Sequence, residues 1–123
     1  MKIYISHSTS FDYKNELYIP IRASDLNKFH SIILPHEESE VPQKTKELLQ
    51  SQNIVVAEVS YPSTGQGIEL GWAEILNVPI LCIYKEDAKI SDSLKYITKD
   101  FISYTDKENL IIKLTEHLSK VGR

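Results

Sequence analysis

The segment STGQG lies between an apolar run and an amphipathic helical pattern, and Glu69 follows it by two residues. Gly65 and Gly67 permit backbone angles that other residues avoid, and they let a ligand approach closely. Backbone N–H groups and the dipole at the start of a helix favour an anion. Ser63 and Gln66 also have the spacing of a capping box, which needs no ligand. The segment therefore predicts either an anion-binding loop or a capped helix.

Glu69 has a position that suits a nucleophile. At about 100° per residue, Ile68, Trp72, Ile75 and Leu76 fall on one apolar helical face, and Glu69 lies beside it. The nearby helix N-terminus helps to keep the carboxylate ionised. An ionised, oriented and partly desolvated carboxylate can attack an electrophilic carbon. The structural alternative is a carboxylate that only complements the helix dipole.

Composition and charge exclude several classes of protein. The chain has 123 residues and a formal net charge of −3, which fits one domain over residues 1–123. It has no Lys/Arg stripe for nucleic acid, no apolar run near the roughly 18 residues of a membrane span, and no clustered metal-ligand spacing. The chain begins directly with the strand-like KIYIS, and its one cysteine, Cys82, lies in an apolar run. These features predict a cytoplasmic protein without a metal.

Five short β-branched or aromatic runs alternate with longer helical patterns. The predicted strands are Lys2–Ser6, Ser31–Leu34, Ile54–Val59, Pro79–Tyr84 and Phe101–Tyr104. The predicted helices are Ile19–Phe29, Pro42–Gln52, Gly67–Leu76, Ser91–Tyr96 and Lys107–Lys120. This alternation predicts an α/β fold, a flavodoxin-like, doubly wound, five-stranded parallel sheet of order 2-1-3-4-5 with helices on both faces.

The unusual polar stretches follow the first three predicted strands. They read HSTS after the first strand, PHEESE after the second and SYPSTGQG after the third. In such a sheet, ligands bind at the carboxyl ends of the strands, near the point where the strand order reverses. The sequence therefore predicts a site formed by these three segments.

The stretch IVVAEVSYPSTGQGIELGWA, followed by NVPILCIYK, resembles the core of the nucleoside 2-deoxyribosyltransferase-like family. It is most similar to the branch of 2'-deoxynucleoside 5'-phosphate N-hydrolases. The resemblance is strong over residues 53–85 and weaker over KIYIS and the C-terminal helix. It implies cleavage or transfer of the bond between a nucleobase and C1' of deoxyribose, with no cofactor and a homodimer or higher homo-oligomer.

The resemblance also implies roles for individual residues. Glu69 matches the nucleophile of the ELG motif, and Tyr4 matches the strand-one tyrosine beside it. The residues that match or extend the family's substrate-binding positions are Ser8, His36, Ser63, Gly65, Gly67 and Ser93. Of these, Ser93 is the one expected to reach into a neighbouring subunit.

Two departures from the family pattern leave alternatives open. The glycine-rich turn after strand one is replaced by SHSTSFDY, and Thr45 stands where an aspartate normally assists protonation of the leaving base. Glu47, or a glutamate at position 37, 38 or 58, is a candidate substitute. A nucleotide sensor without catalysis is the first alternative. Because YISHSTSFDY resembles TIR domains, an NAD glycohydrolase is the second.

Overall fold

The computed structural model describes residues 1–37 and 45–121, and within them five parallel strands form one sheet. The strands are β1 Lys2–His7, β2 Ser31–Ile33, β3 Ile54–Glu58, β4 Ile80–Lys85 and β5 Asp100–Tyr104. Their order is β2-β1-β3-β4-β5, and every neighbouring pair is parallel. The predicted fold class and strand order are confirmed.

The strand order reverses at β1, which lies between β2 and β3. Tyr4 is opposite Ile33 of β2 and Val55 of β3, while Ser6 is opposite Ala57. The carboxyl ends of these three strands therefore meet at one edge of the sheet, where a doubly wound fold binds its ligands.

Helices cover both faces of this sheet. The α-helices are α1 Ile19–Ala23, α2 Leu26–Phe29, α3 Thr45–Gln50, α4 Thr64–Ile75 and α5 Lys107–Val121. A π-helical turn over Lys14–Tyr18 leads into α1, and a 3₁₀ helix spans Asp92–Tyr96. The first three residues of the predicted helix Pro42–Gln52 lie outside the described part of the chain.

The predicted helix Ile19–Phe29 is wrong as one continuous element. It is interrupted after Ala23, where Ser24 adopts an extended conformation. Upstream of it, the N–H of Ile19 bonds to the carbonyl of Lys14, five residues back. Pro20 lies at the start of α1, where a residue without a backbone N–H costs no helical hydrogen bond.

Two apolar clusters lie on opposite faces of the sheet, because strand residues alternate between faces. On β1, Ile3 and Ile5 pack with α1, α2 and α5, whereas Tyr4 packs with Leu49 of α3 and Leu70 of α4. The same alternation recurs along β3 and β4. The side chains of Tyr4 and the polar Ser6 therefore face α3 and α4.

The predicted apolar face of α4 is not the face that packs against the sheet. The helix buries Gln66, Leu70 and Ala73 against the sheet, while Ile68 is 50% and Ile75 is 75% exposed. The sequence has two apolar stripes on this helix, and the stripe with the smaller residues packs closely against β1 and β4. Glu69 lies between the stripes and is half-buried.

Candidate active site

A cavity of about 420 Å³ opens at the edge where β1, β2 and α4 meet. Its walls carry polar and titratable groups from four segments of the chain. The lining residues with such side chains are Tyr4, His7, Thr9, His36, Thr45, Ser63, Gln66 and Glu69. The predicted convergence of the segments after strands one, two and three is thus present in the structure.

Two hydroxyl groups hold the carboxylate of Glu69 in this cavity. Tyr4 Oη donates to Glu69 Oε2 at 2.6 Å, and Ser6 Oγ donates to Glu69 Oε1 at 2.9 Å. Tyr4 and Ser6 are two residues apart on β1, so their side chains reach the same face of the sheet. Each carboxylate oxygen accepts one hydrogen bond, which fixes the rotation of the carboxylate and leaves it lone pairs for chemistry.

Tyr4 is held as a hydrogen-bond donor. Burial raises the pKa of the Tyr4 phenol far above its ordinary value, and the adjacent Glu69 carboxylate raises it further. The Thr45 side chain is also hydrogen-bonded to Tyr4, which opposes this shift. Thr45, a residue of α3, therefore contacts Tyr4, which itself donates to Glu69.

His7 and His36 form another part of the cavity wall. His7 Nδ1 is 2.7 Å from the carbonyl of Ser8, so it carries the proton, and Nε2 accepts from Tyr18 Oη at 2.7 Å. Burial lowers the pKa of His7 to about 4, which keeps this ring neutral. Tyr18 Oη also accepts the backbone N–H of His36 at 2.9 Å, and the two imidazole rings pack at 5.5 Å.

The start of α4 is a capped helix end that also borders the cavity. Ser63 is the N-cap, and its hydroxyl accepts from the N–H of Gln66 at 3.5 Å. The Gln66 side chain does not complete a capping box. It donates instead to the carbonyls of Ser6 and Glu58 at 3.2 and 2.7 Å. Gln66 thereby ties the ends of β1 and β3 to the helix that carries Glu69.

The glycines of this turn have ordinary helical positions. Both lie within α4, and no described glycine has a positive φ angle. The prediction that Gly65 and Gly67 supply unusual backbone angles is therefore wrong. A Cβ atom at either position would meet nothing within 4 Å, so the space beside both glycines is open. Gly65 faces the Glu69 cavity, whereas Gly67 lines a neighbouring one.

Two predicted substrate-binding serines lie away from Glu69. Ser8 is buried, and its hydroxyl lies 2.8 Å from that of Ser10 within the loop, while Thr9 lines the cavity. Ser93 is exposed in the 3₁₀ helix and borders a second cavity of about 490 Å³ on the other flank of α4. Ser63 lines both cavities.

Sequence reasoning missed Ser6 and Thr9. The signal for Ser6 was present, because a residue two positions after Tyr4 on a strand must share its face. Thr9 gave no signal, since loop side chains have no periodicity.

The described residues contain no group of three or more His, Cys, Asp or Glu side chains that could hold a metal ion. Over the same residues, no helix has the length and apolar character needed to cross a membrane.

Known proteins resemble this chain in sequence and in fold, although no family model matches it. A provisionally named 2'-deoxynucleoside 5'-phosphate N-hydrolase 1 of Methanosarcina barkeri is 32% identical over 84 residues, which cover 66% of this chain and 53% of that protein. The chain spans about half the length of the first curated relatives it matches.

Solved structures share the fold at low sequence identity. The CMP N-glycosidase BcmB of Clostridium botulinum has a TM-score of 0.68 and 16% identity, covering 94% of this chain and 99% of its own. A 2-deoxyribosyltransferase of Bacillus psychrosaccharolyticus has a TM-score of 0.61 and 19% identity, covering 90% of each chain.

Proposed function

We propose that this chain, whose relatives support its assignment to the nucleoside 2-deoxyribosyltransferase-like family, cleaves or transfers the N-glycosidic bond of a deoxyribonucleoside or its 5'-monophosphate. One observation carries the proposal. The Glu69 carboxylate borders an open cavity at the switch point of the sheet, with each oxygen held by a hydroxyl donor. This arrangement presents an oriented nucleophile to a ligand.

The chemistry follows from that geometry. Cleavage of the bond from C1' to the base nitrogen passes through an oxocarbenium-like state, as in glycoside hydrolysis. Glu69 attacks C1' and forms a covalent deoxyribosyl ester, which divides one difficult step into two easier ones. Water or a second base then releases the sugar. Tyr4 and Ser6 hold the carboxylate during the attack and accommodate the ester that replaces it.

The direct test is separate incubation with dGMP, dCMP and NAD, followed by chromatography for free base and nicotinamide. We expect free base from at least one deoxynucleotide. Nicotinamide release without base release would instead favour a TIR-like NAD glycohydrolase.

A nucleotide sensor is the second candidate, because Thr45 borders the cavity at the position where relatives are expected to carry an acid. A sensor would bind deoxynucleotides, release no base and accumulate no adduct on Glu69. Intact-mass spectrometry after incubation with a deoxynucleotide whose base leaves easily separates the sensor from a slow enzyme.

Deoxynucleoside 5'-monophosphates are expected to bind more tightly than the free nucleosides. The N-terminus of α4 directs backbone N–H groups towards the cavity edge, and Ser63 adds a hydroxyl there. A hydrogen bond to a charged group contributes about 1.5–3 kcal/mol, so we expect a preference of about tenfold or more. Calorimetry with dGMP and deoxyguanosine, in a Glu69→Gln background to prevent turnover, measures it.

Ser63→Ala should reduce this preference, whereas Ser119→Ala on the exposed face of α5 should leave it unchanged. Equal affinity of the parent protein for the two ligands would reject a phosphate site at this helix end.

The chain is expected to form at least a dimer through α4. Ile68 and Ile75 are largely exposed, and the half-buried Trp72 lies between them at the rim of the Glu69 cavity. A second copy covering this face would remove apolar surface from water, and Ser93 is the residue proposed to reach into the neighbouring subunit.

Light scattering at micromolar concentration should give at least the dimer mass. Ile75→Lys should shift the protein towards monomer, and Ile112→Lys, on the exposed side of α5, is the matched control. A monomer mass for the unmodified chain would refute this assembly.

A further inference from the structure

We propose that His36 is the general acid that protonates the departing nucleobase. It takes the role of the aspartate that the family resemblance implies at the position of Thr45. This inference rests on the proposed function and names an additional catalytic residue for it. The observations behind it are the titratable groups that border the cavity and the hydrogen bonds that each of them makes.

Four titratable side chains line the Glu69 cavity within the described residues: Tyr4, His7, His36 and Glu69. Glu69 is the nucleophile, and Tyr4 already donates its proton to it. His7 has both ring nitrogens engaged, one with the Ser8 carbonyl and the other with Tyr18. His36 is half-buried, and its hydrogen bond within the described part of the chain comes from its backbone N–H, not from its ring.

The described glutamates that were candidates for the acid are not in this cavity. Glu37 forms a two-point ion pair with Arg22 at 2.8 and 2.9 Å, and the hydrogen bonds from Arg22 lower the pKa of its carboxyl group. Glu47 is exposed on α3. Glu58 is fully buried, where it accepts from the N–H of Ser60 and from Tyr104 Oη.

Neighbouring groups hold His36 in place at the wall of the cavity. Its backbone N–H is anchored to Tyr18 Oη, and its ring packs edge-on against His7 at 5.5 Å and tilted against Tyr13 at 5.8 Å. The neutral His7 ring therefore supports the His36 ring as a packing surface. Imidazole is a common general acid and base in enzymes, because one ring nitrogen can give up a proton and take one back.

The proposed reaction needs no reactant other than the deoxynucleotide and water. A Glu69 oxygen forms a bond to C1' as the bond from C1' to the base nitrogen breaks, and that bonding pair goes to the base. The His36 imidazolium transfers its proton to the base, which leaves neutral. Neutral His36 then accepts a proton from the water that hydrolyses the deoxyribosyl ester, which regenerates the carboxylate and the imidazolium.

A pair of substrates tests the role. The base of dGMP needs a proton to leave, whereas 7-methyl-dGMP already carries a positive charge on its base and releases a neutral base without one. General acid catalysis contributes about 10²–10⁴-fold, so His36→Asn should slow single-turnover base release from dGMP by about 10²-fold or more. The same variant should retain its single-turnover release of 7-methylguanine from 7-methyl-dGMP within a few-fold, after subtraction of spontaneous release. Single-turnover conditions are needed because the later hydrolysis of the ester also uses His36.

Controls separate this inference from its rivals. His117→Asn, on α5, carries the same substitution away from the cavity and should leave both rates unchanged. His36→Gln is a second variant, in case His36→Asn fails to fold as judged by circular dichroism. Glu38→Gln and Glu40→Gln test two glutamates that lie outside the described residues, and neither should produce the leaving-group-dependent loss.

Equal loss of single-turnover base release from both substrates in the folded His36 variants would overturn the assignment, because in that step a general acid affects only the substrate that needs a proton. A leaving-group-dependent loss in Glu38→Gln or Glu40→Gln, with His36→Asn unaffected, would also overturn it while the proposed function stands. If the unmodified protein releases no base even from 7-methyl-dGMP, the proposed function itself fails.

Discussion

Glu69→Gln is expected to reduce base release by on the order of 10⁴-fold or more, as is usual when a nucleophile that forms a covalent intermediate is removed. The amide is nearly the same size as the carboxylate, but it is neutral and a poor nucleophile. Its carbonyl oxygen can still accept from Tyr4, so the site should keep its shape.

The measurement is steady-state release of free base, together with intact-mass detection of a deoxyribosyl adduct that the variant should lack. Glu74→Gln is the matched control, since Glu74 is exposed on the same helix. Turnover by Glu69→Gln within tenfold of the unmodified protein, with unchanged circular dichroism, would contradict the nucleophile assignment.

Tyr4→Phe should lower turnover by about 10- to 100-fold while substrate affinity changes less. The lost hydrogen bond ends on a charged carboxylate at 2.6 Å, and such bonds contribute about 1.5–3 kcal/mol, with each 1.36 kcal/mol equal to tenfold in rate. Without Tyr4 Oη, the carboxylate keeps only the Ser6 bond and can rotate away from its attacking position. Separate determination of kcat and KM tests this expectation.

Ser6→Ala should give a smaller loss in the same direction, because its 2.9 Å bond is the longer of the two. Tyr96→Phe is the control, since Tyr96 is 87% exposed. An unchanged kcat in Tyr4→Phe would mean that Tyr4 does not orient the nucleophile.

The pKa of Tyr4 also predicts part of the pH profile. Burial, and then the Glu69 carboxylate, raise this pKa, so the phenol remains protonated and donating above the pH at which an ordinary tyrosine ionises. Activity should therefore not decline near pH 10 through loss of the Tyr4 proton. A decline there that Tyr4→Phe abolishes would contradict this expectation.

The sequence predicted both ends of all five strands to within one residue, because β-branched runs bounded by turns specify buried parallel strands. The buried face of α4 could not be predicted in the same way. Its two apolar stripes, one with Ile68 and Ile75 and the other with Leu70 and Ala73, have similar helical periodicity. Only the close approach of the helix to β1 and β4 decides which stripe is buried.

The sequence by itself determined the strand order, which brings the carboxyl ends of β1 and β3 together at one edge of the sheet. Its family resemblance predicted that Tyr4 and Ser63 lie near Glu69 there, and all three residues line the same cavity. The tertiary structure decided that Ser6 is the second donor to Glu69, that Ser8 is buried in its loop and that Ser93 faces another cavity. Elements are specified by local patterns, whereas a hydrogen bond between residues 63 or 65 positions apart depends on strand register and side-chain direction.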